Sequence, residues 1–331
     1  MILASIAFAT IAFMLTAYVL LDGYDLGIAS ISPLIARTGR ERAATMASIG
    51  PFWNGNEVWL IAAGGALFAL FPSAYASSFS GFYLPFMVVL WMLMFRGIAM
   101  ELRDHFVSDL WRQFWDVAFW LSSTLLIVLF GVALGNLLRG VPLDANGYFA
   151  GTFAFLLNPY ALLVGLFALV TLAQHGAAFA MVRIDGEPAV RAARLLGGIW
   201  WAALALYLAA SAATFAVRGV PAAGWLYAVP IVSLGSLFAV RWSLQRGLAA
   251  RAFAASSAFV ASLLLEAAGT LYPYLLPAFP AGRGAGISIL DAVPSQTALT
   301  VALTVTVGGS IAVLVYGSYV WRRMAGKVRV E

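Results

Sequence analysis

Nine long apolar runs constrain what this chain can fold into more than any other feature. Each is close to the roughly 20 residues that a helix needs to cross a bilayer, where only helices or closed barrels satisfy every backbone polar group. The runs are 2–21, with a continuation toward Ile35, then 52–71, 77–95, 117–138, 157–181, 197–217, 224–240, 253–272 and 298–321. Charged residues are 10% of the chain, against roughly 25% in a soluble domain. We therefore predict an all-α polytopic membrane protein with nine transmembrane helices, in which residues 1–331 form a single integral membrane domain.

Basic residues fall mostly on one side of the predicted spans. Of the 19 Lys and Arg residues, 16 lie in alternate connections and three, Arg139, Arg218 and Arg283, lie in the others. The 16 are Arg37, Arg40, Arg42, Arg96, Arg103, Arg112, Arg183, Arg191, Arg194, Arg241, Arg246, Arg251, Arg322, Arg323, Lys327 and Arg329. Because basic loops stay in the cytoplasm, we predict a periplasmic N-terminus and a cytoplasmic C-terminus. The net charge of +5 then follows from topology and requires no nucleic-acid partner.

Few side chains in this sequence are suited to hold a metal or a haem. The chain has no cysteine, which excludes disulfides, iron–sulfur clusters and zinc thiolate sites. Its two histidines, His105 and His175, are fewer than a protein with several haems normally carries. His175, inside the fifth run, is open to three interpretations: a haem ligand, a hydrogen-bond partner of a quinone, or a satisfied contact between helices, which we favour. Glu266, near the middle of the eighth run, is predicted to donate a hydrogen bond within the bundle or toward a partner subunit.

The polar stretch Gly50–Trp59, GPFWNGNEVW, begins one of the apolar runs. It contains Trp53, Asn54, Asn56 and Glu57. An ionisable side chain in hydrocarbon must pair, neutralise or face a hydrated cavity, so it is by default a functional-site hypothesis. Spacings of three and four residues predict that Trp53, Asn54 and Glu57 lie on or near one helix face. Two interpretations stay open: a polar stripe that enters the membrane from one end, or a helix-terminal contact of Glu57 at the headgroup level.

Further charged residues lie near the predicted cytoplasmic ends of neighbouring runs. Asp22 and Asp25 are three positions apart in the first run, and Arg96 ends the third run, with Glu101 and Asp104 just beyond it. For each of the first three residues alone, a buried salt bridge that fixes helix packing is a sufficient explanation. Together with the polar stretch, these residues form a series of exchangeable groups, which is what a proton path through a membrane requires.

Four segments of the sequence resemble one known family. They are DGYDLG at 22–27, SIGPFWNGNEVWLIAAGGALFALFP at 48–72, FSGFY at 79–83 and FR at 95–96. These segments resemble the N-terminal signature of subunit II of the cytochrome bd-type quinol oxidases. The remainder agrees with that family in length and span count, and the lack of long loops resembles its cyanide-insensitive branch.

This resemblance implies a fold of two four-helix bundles plus a peripheral helix, in the bacterial cytoplasmic (inner) membrane. It implies a partner, subunit I, which carries the haems b, the haem d and the quinol site, while this chain ligates no haem. The complex oxidises quinol, reduces dioxygen to water and takes its protons from the cytoplasm. The resemblance also allows a quinone and membrane lipid bound to this chain, and a small third subunit.

One residue departs from the family pattern. Many members carry an acid, in a WDGN pattern, where this chain has Asn54 in WNGN, and that acid is assigned to a proton pathway. Asn cannot titrate, so the path runs either through Glu57, one turn further in, or mainly through subunit I; we prefer Glu57. Two other functions stay open. They are a proton-coupled secondary transporter, for which interrupted helices near the midplane are expected, and a purely structural membrane subunit.

Overall fold

The computed structural model describes residues 1–219, 223–280 and 286–330. Its helices are α1 (Ile2–Ile35), α2 (Gly39–Ile49), α3 (Trp53–Leu70), α4 (Pro72–Gly81), α5 (Tyr83–Leu102), α6 (Asp109–Arg139), α7 (Phe153–Leu156), α8 (Pro159–Arg183), α9 (Glu187–Arg218), α10 (Val229–Gln245), α11 (Ala249–Leu271) and α12 (Gln296–Arg323). A 3-10 turn, Gly224–Tyr227, precedes α10, and two short antiparallel strands lie between α11 and α12, β1 (Tyr274–Leu276) and β2 (Ile287–Ser288). Arg283 and Glu331, which the sequence predictions include, lie outside the described residues.

Eight helices in the described part of the chain are long and apolar enough to cross a membrane: α1, α5, α6, α8, α9, α10 with its preceding turn, α11 and α12. The prediction of an all-α polytopic membrane protein is therefore confirmed. The predicted span 52–71 corresponds to α3, which has 18 residues. Two amides and a carboxylate at the start of α3 lower its mean hydropathy, which explains why it is not among the eight.

Glycines allow a very close contact between α1 and α8. A Cβ atom on Gly27 would lie 2.0 Å from the carbonyl oxygen of Leu172, and one on Gly176 would lie 2.2 Å from the backbone of Gly27. Gly131 and Gly135 of α6 approach α8 as closely. A Cβ atom on either glycine would lie 2.7 Å from an atom of α8. Small residues at four-residue spacing thus bring helix backbones together, and α1 is held firmly against α8.

The short helix α2 is fixed by its first turn. The Thr38 hydroxyl accepts a hydrogen bond from the backbone N–H of Glu41 at 3.2 Å. The Glu41 carboxylate accepts one from the backbone N–H of Thr38 at 3.1 Å. These two hydrogen bonds form a capping box. The same carboxylate pairs with Arg191 of α9. Burial raises the pKa of Glu41, but hydrogen bonds from Arg191 and from two backbone N–H groups outweigh it, so the pKa lies below its ordinary value of 4.5. The ionised Glu41 therefore stabilises the fold above about pH 4.5. This stabilisation is lost as the pH falls through the lowered pKa of Glu41.

The chain after α12 crosses the end of α8 and helps to position α3. Arg183 donates from Nη1 to a backbone carbonyl of this segment at 2.7 Å, and Val328 forms a parallel bridge with Ile184. Trp321 of α12 packs on Phe52, the residue before α3, with ring centroids 5.1 Å apart. The C-terminal region thus fixes the start of the helix that carries the polar stretch.

Candidate functional site

Helices α1, α3 and α5 bring one arginine and three carboxyl groups together. Arg96 binds Asp22 with both terminal nitrogens, Nη1 at 3.0 Å and Nη2 at 2.6 Å, in the bidentate geometry of strong Arg–carboxylate pairs. Nη1 also donates to Glu57 at 3.0 Å, and Nη2 lies 3.8 Å from Asp25. The side chains of Asp22, Asp25 and Arg96 are fully buried, whereas that of Glu57 is 21% exposed. We call these four residues the charged cluster.

Asn56 connects α3 to the charged cluster. Its Nδ2 donates to Oδ2 of Asp25 at 2.8 Å and to the hydroxyl of Tyr24 at 3.0 Å. Tyr24 stacks on Phe179 of α8 with ring centroids 4.1 Å apart, so its hydroxyl is held in place. The sequence analysis did not select Tyr24, although its place between Asp22 and Asp25 in DGYDLG is the signal that identifies it.

The charged cluster holds more acid than base. Three ionised carboxylates and one guanidinium would carry a net charge of −2, and each uncompensated ion in a low-dielectric interior costs several kcal/mol. The arrangement therefore favours states in which the carboxyl groups share at least one bound proton. Oδ1 of Asp25 is buried and accepts no hydrogen bond from the described residues. The cluster thus has the chemistry to take up a proton and to pass it on.

Besides Asn56, four predicted site residues lie outside the charged cluster. Asn54 is exposed on α3, and Glu101 and Asp104 are exposed around the end of α5, where Asp104 pairs with Arg103 at 2.8 Å. Trp53 is buried. In the described part of the chain, Arg96 forms its hydrogen bonds and salt bridges with Asp22, Asp25 and Glu57 and with none of these four residues, although they lie near it in sequence or along the helices.

The three residues predicted to lie on or near one helix face differ in burial. Trp53 is buried and contacts α5, where a Cβ on Gly97 would lie 3.4 Å from its ring. Asn54 is exposed and Glu57 is half-buried. Since residues three and four positions apart are neighbours on a helix, Trp53 and Asn54 flank Glu57 on its buried and its exposed side.

His175 makes a satisfied contact between helices, as we favoured from the sequence. Its Nε2 lies 3.1 Å from the carbonyl oxygen of Leu20, and its Nδ1 lies 3.0 Å from the hydroxyl of Ser256. Because a carbonyl only accepts, Nε2 carries the proton and Nδ1 accepts from Ser256. Among residues 1–219, 223–280 and 286–330, no three His, Cys, Asp or Glu side chains are grouped to hold a metal ion.

Several known proteins are similar to this chain. The family described as "Cytochrome bd terminal oxidase subunit II" matches residues 3–324. The chain is 30% identical over 353 residues to cytochrome bd-I ubiquinol oxidase subunit 2 of Escherichia coli strain K12, covering 96% of this chain and 93% of that protein. It is 33% identical over 208 residues to cytochrome bd ubiquinol oxidase subunit 2 of Bacillus subtilis, covering 62% of each. A chain in the structure of bd oxidase from Geobacillus thermodenitrificans shares its fold, with a TM-score of 0.80 at 18% identity over 97% of this chain and 98% of that chain.

Proposed function

Because this chain belongs to the cytochrome bd terminal oxidase subunit II family, we propose that its charged cluster takes part in proton uptake for the reduction of dioxygen. The chain is a multi-pass subunit of a quinol oxidase in the bacterial inner membrane. The observation that carries the proposal is that Arg96 is shared by three carboxyl groups. A buried ion pair that only fixes helix packing needs one carboxylate for one guanidinium, whereas proton transfer needs acceptors in excess.

The proposed path begins at Glu57 and leads to Asp22 and Asp25. Glu57 is the member of the charged cluster with exposed side-chain surface, so it is the natural point of entry. Arg96 Nη1 donates at 3.0 Å to both Glu57 and Asp22. Arg96 Nη2 lies 3.8 Å from Asp25, which also accepts a hydrogen bond from Asn56. These contacts place exchangeable groups within reach of one another or of bridging water.

The remaining predicted residues have supporting roles in this proposal. Asn54 lies one turn closer to the start of α3, where its amide orients water but cannot hold a proton. Glu101 and Asp104 supply negative charge near the proposed mouth of the path. Trp53 packs against α5 and so holds the first turn of α3 in position.

We expect Glu57→Gln to slow quinol-dependent oxygen consumption per haem d by about tenfold or more, within the range for loss of a proton-transferring group. Gln keeps the size and hydrogen-bonding capacity of Glu but cannot titrate, so assembly and haem content are expected to be normal. Asn54→Asp in the Glu57→Gln background is expected to restore part of the rate, because it returns an acid to the entrance.

A purely structural role for Glu57 predicts the opposite pattern. Glu57→Gln would then leave the rate of oxygen consumption almost unchanged, and Glu57→Ala would prevent assembly of the complex. Normal turnover of an intact Glu57→Gln complex would remove Glu57 from the proton path. A secondary transporter, the third function considered from the sequence, would instead retain activity without haem absorbance from a partner.

The proposed complex places all haems in subunit I. In this view the haems b, the haem d and the quinol site belong to the partner, and a structural quinone or a small third subunit joins the complex as an optional component. His175→Ala is expected to leave every haem band of the assembled complex present, because both ring nitrogens of His175 bind protein groups. An optical spectrum that lost one specific haem band, with both subunits assembled, would contradict this.

The proposed topology has nine spans, counting α3, with two four-helix bundles and a peripheral helix. The N-terminus lies in the periplasm and the C-terminus in the cytoplasm, as the distribution of basic residues predicts. Reporter fusions after Val330 and between Ser288 and Asp291 are expected to report cytoplasm and periplasm respectively. If both fusions report the same side, the nine-span count is wrong.

A further inference from the structure

A polar pocket lies between the end of α1, the helix α2 and the N-terminal part of α6. Its volume is about 460 Å³. Arg42 of α2 and Gln113 and Asp116 of α6 are among its polar residues, and Pro33 and Val117 are among its apolar ones. The four residues of the charged cluster do not line it, so it is a second and separate polar feature of the molecule.

This pocket lies at the level of the lipid headgroups. Helix α2 follows α1, which is long and apolar enough to cross the membrane, and with 11 residues it is too short to cross a bilayer itself. Arg42 therefore lies at the membrane surface. Helix α6 crosses the membrane and begins at Asp109, so its residues lie deeper as their numbers rise. Trp120, in the wall of the pocket, is about 6 Å deeper than Asp116, which agrees with the interfacial position that tryptophan prefers.

The charges around this pocket are not balanced. Asp116 is shared by two arginines, Arg103 with Nε at 2.6 Å and Arg42 with Nη1 at 3.2 Å. The salt bridges continue from Arg103 to Asp104, and from Asp104 to Arg112. In the described part of the chain, this linked group therefore holds three arginines against two aspartates. The Arg103 side chain is 3% exposed, whereas that of Arg42 is 36% exposed, so Arg42 is the point at which an anion can approach the excess positive charge.

Apolar side chains continue from the pocket into the membrane along α6. Phe114, Val117, Leu121 and Leu125 are exposed, and their spacings of three and four residues place them on one helix face. Val117 also lines the pocket. A ligand with a headgroup in the pocket and an acyl chain along α6 matches both features, whereas a free anion matches the pocket alone.

We propose that this pocket binds an anionic phospholipid of the phosphatidylglycerol type. Its phosphate accepts hydrogen bonds from Arg42, as phosphates commonly do from arginine, its headgroup hydroxyls bond with the amide of Gln113, and one acyl chain lies along α6. Basic pockets between membrane helices bind anionic headgroups in this way. Phosphatidylethanolamine and phosphatidylcholine have no net charge, because each carries a cation beside its phosphate, and so they do not compensate the excess positive charge. This inference is independent of the proposed function of the charged cluster.

The test is native mass spectrometry of the purified oxidase complex, delipidated and then incubated with dioleoyl phosphatidylglycerol, phosphatidylethanolamine or phosphatidylcholine. We expect phosphatidylglycerol to be retained in preference to the other two lipids. Arg42→Gln is expected to weaken its retention about fivefold or more. Gln113→Glu breaks no salt bridge and places a negative charge in the pocket, so it is expected to weaken retention as well, and it decides the question if Arg42→Gln does not fold.

Arg40→Gln is the matched control for Arg42→Gln. Arg40 is an exposed residue of the same short helix, and it lines a different pocket. Its substitution removes the same charge near the same membrane surface and is expected to leave the retention of phosphatidylglycerol unchanged. Haem content and thermal unfolding show that each variant is folded.

Four results would overturn the proposal. One is equal retention of the three lipids, and another is unchanged retention of phosphatidylglycerol by a folded Arg42→Gln or Gln113→Glu complex. The third is equal weakening by Arg40→Gln, because the lipid would then respond to the general surface charge. The fourth is displacement of the lipid by excess inorganic phosphate, because the pocket would then be a site for free anions.

Discussion

Replacing Arg96 by Leu is expected to prevent accumulation of the folded complex. The change removes the guanidinium that binds Asp22 at 2.6 and 3.0 Å and leaves three carboxyl groups together in the membrane interior. Removing one partner of a buried ion pair costs about 3–5 kcal/mol, a large part of the roughly 5–15 kcal/mol that stabilises a typical domain. The yield of assembled complex and its thermal unfolding midpoint measure the effect.

Arg112→Leu is the matched control for Arg96→Leu. Arg112 pairs with Asp104 at 3.5 Å, and both side chains are more than a third exposed, so this pair is expected to contribute less than about 1 kcal/mol. Arg96→Lys is expected to fall between the two, because Lys keeps the charge but cannot bind a carboxylate with a fork of two nitrogens. Equal yields of Arg96→Leu and Arg112→Leu would show that Arg96 does not hold the charged cluster together.

Gly27→Ala is expected to destabilise the protein strongly through packing alone. The new methyl group would lie 2.0 Å from the carbonyl oxygen of Leu172, a backbone atom that cannot move without separating α1 from α8. Overpacking typically costs about 1–3 kcal/mol, and we expect this substitution to reach or exceed the upper value. Gly176→Ala, which meets the same contact from α8, is expected to behave alike in thermal unfolding of the complex.

Gly198→Ala on α9 is the control for these glycine substitutions. A Cβ on Gly198 would have no atom within 4 Å, and removing a glycine from a helix reduces the freedom of the unfolded chain, so the variant is expected to be neutral or stabilised by up to about 1 kcal/mol. Similar melting temperatures for Gly27→Ala and Gly198→Ala would mean that α1 and α8 are not in close contact.

The sequence alone is sufficient to predict most of the helices, because burial in a bilayer leaves the backbone so few alternatives. The first run is expected to continue toward Ile35, and α1 does end there. Span 52–71 is harder to assign by hydropathy, because the same polar residues that mark a functional site make α3 less apolar. The feature that suggests a site therefore also weakens the evidence that its helix crosses the membrane.

The sequence indicates which residues could form the charged cluster, whereas their pairing is visible only in three dimensions. Arg96 is 74 positions from Asp22 and 39 from Glu57, and no local spacing rule reaches across helices. The same limit explains why the sequence groups Glu101 and Asp104 with Arg96, since proximity along the chain is a poor guide to proximity in space. The end of α5 instead turns these two residues outward, whereas Arg96 is buried.

One smaller discrepancy concerns the position of Glu266 along its helix. Glu266 is predicted near the middle of its span, and it lies five residues from the end of α11 at Leu271. The helix begins at Ala249, before the predicted start of the span at residue 253, so Glu266 lies in its last third.

The measurement that tests the central claim most directly is proton uptake by the reconstituted complex during a single turnover with dioxygen. The fully reduced oxidase in liposomes is mixed with dioxygen, while haem oxidation and proton uptake from the medium at the cytoplasmic face are recorded together. If the charged cluster carries protons, uptake by Glu57→Gln is slowed about tenfold or more, while its content of both subunits and haems equals that of wild type. Proton uptake by this variant at the wild-type rate would contradict the account.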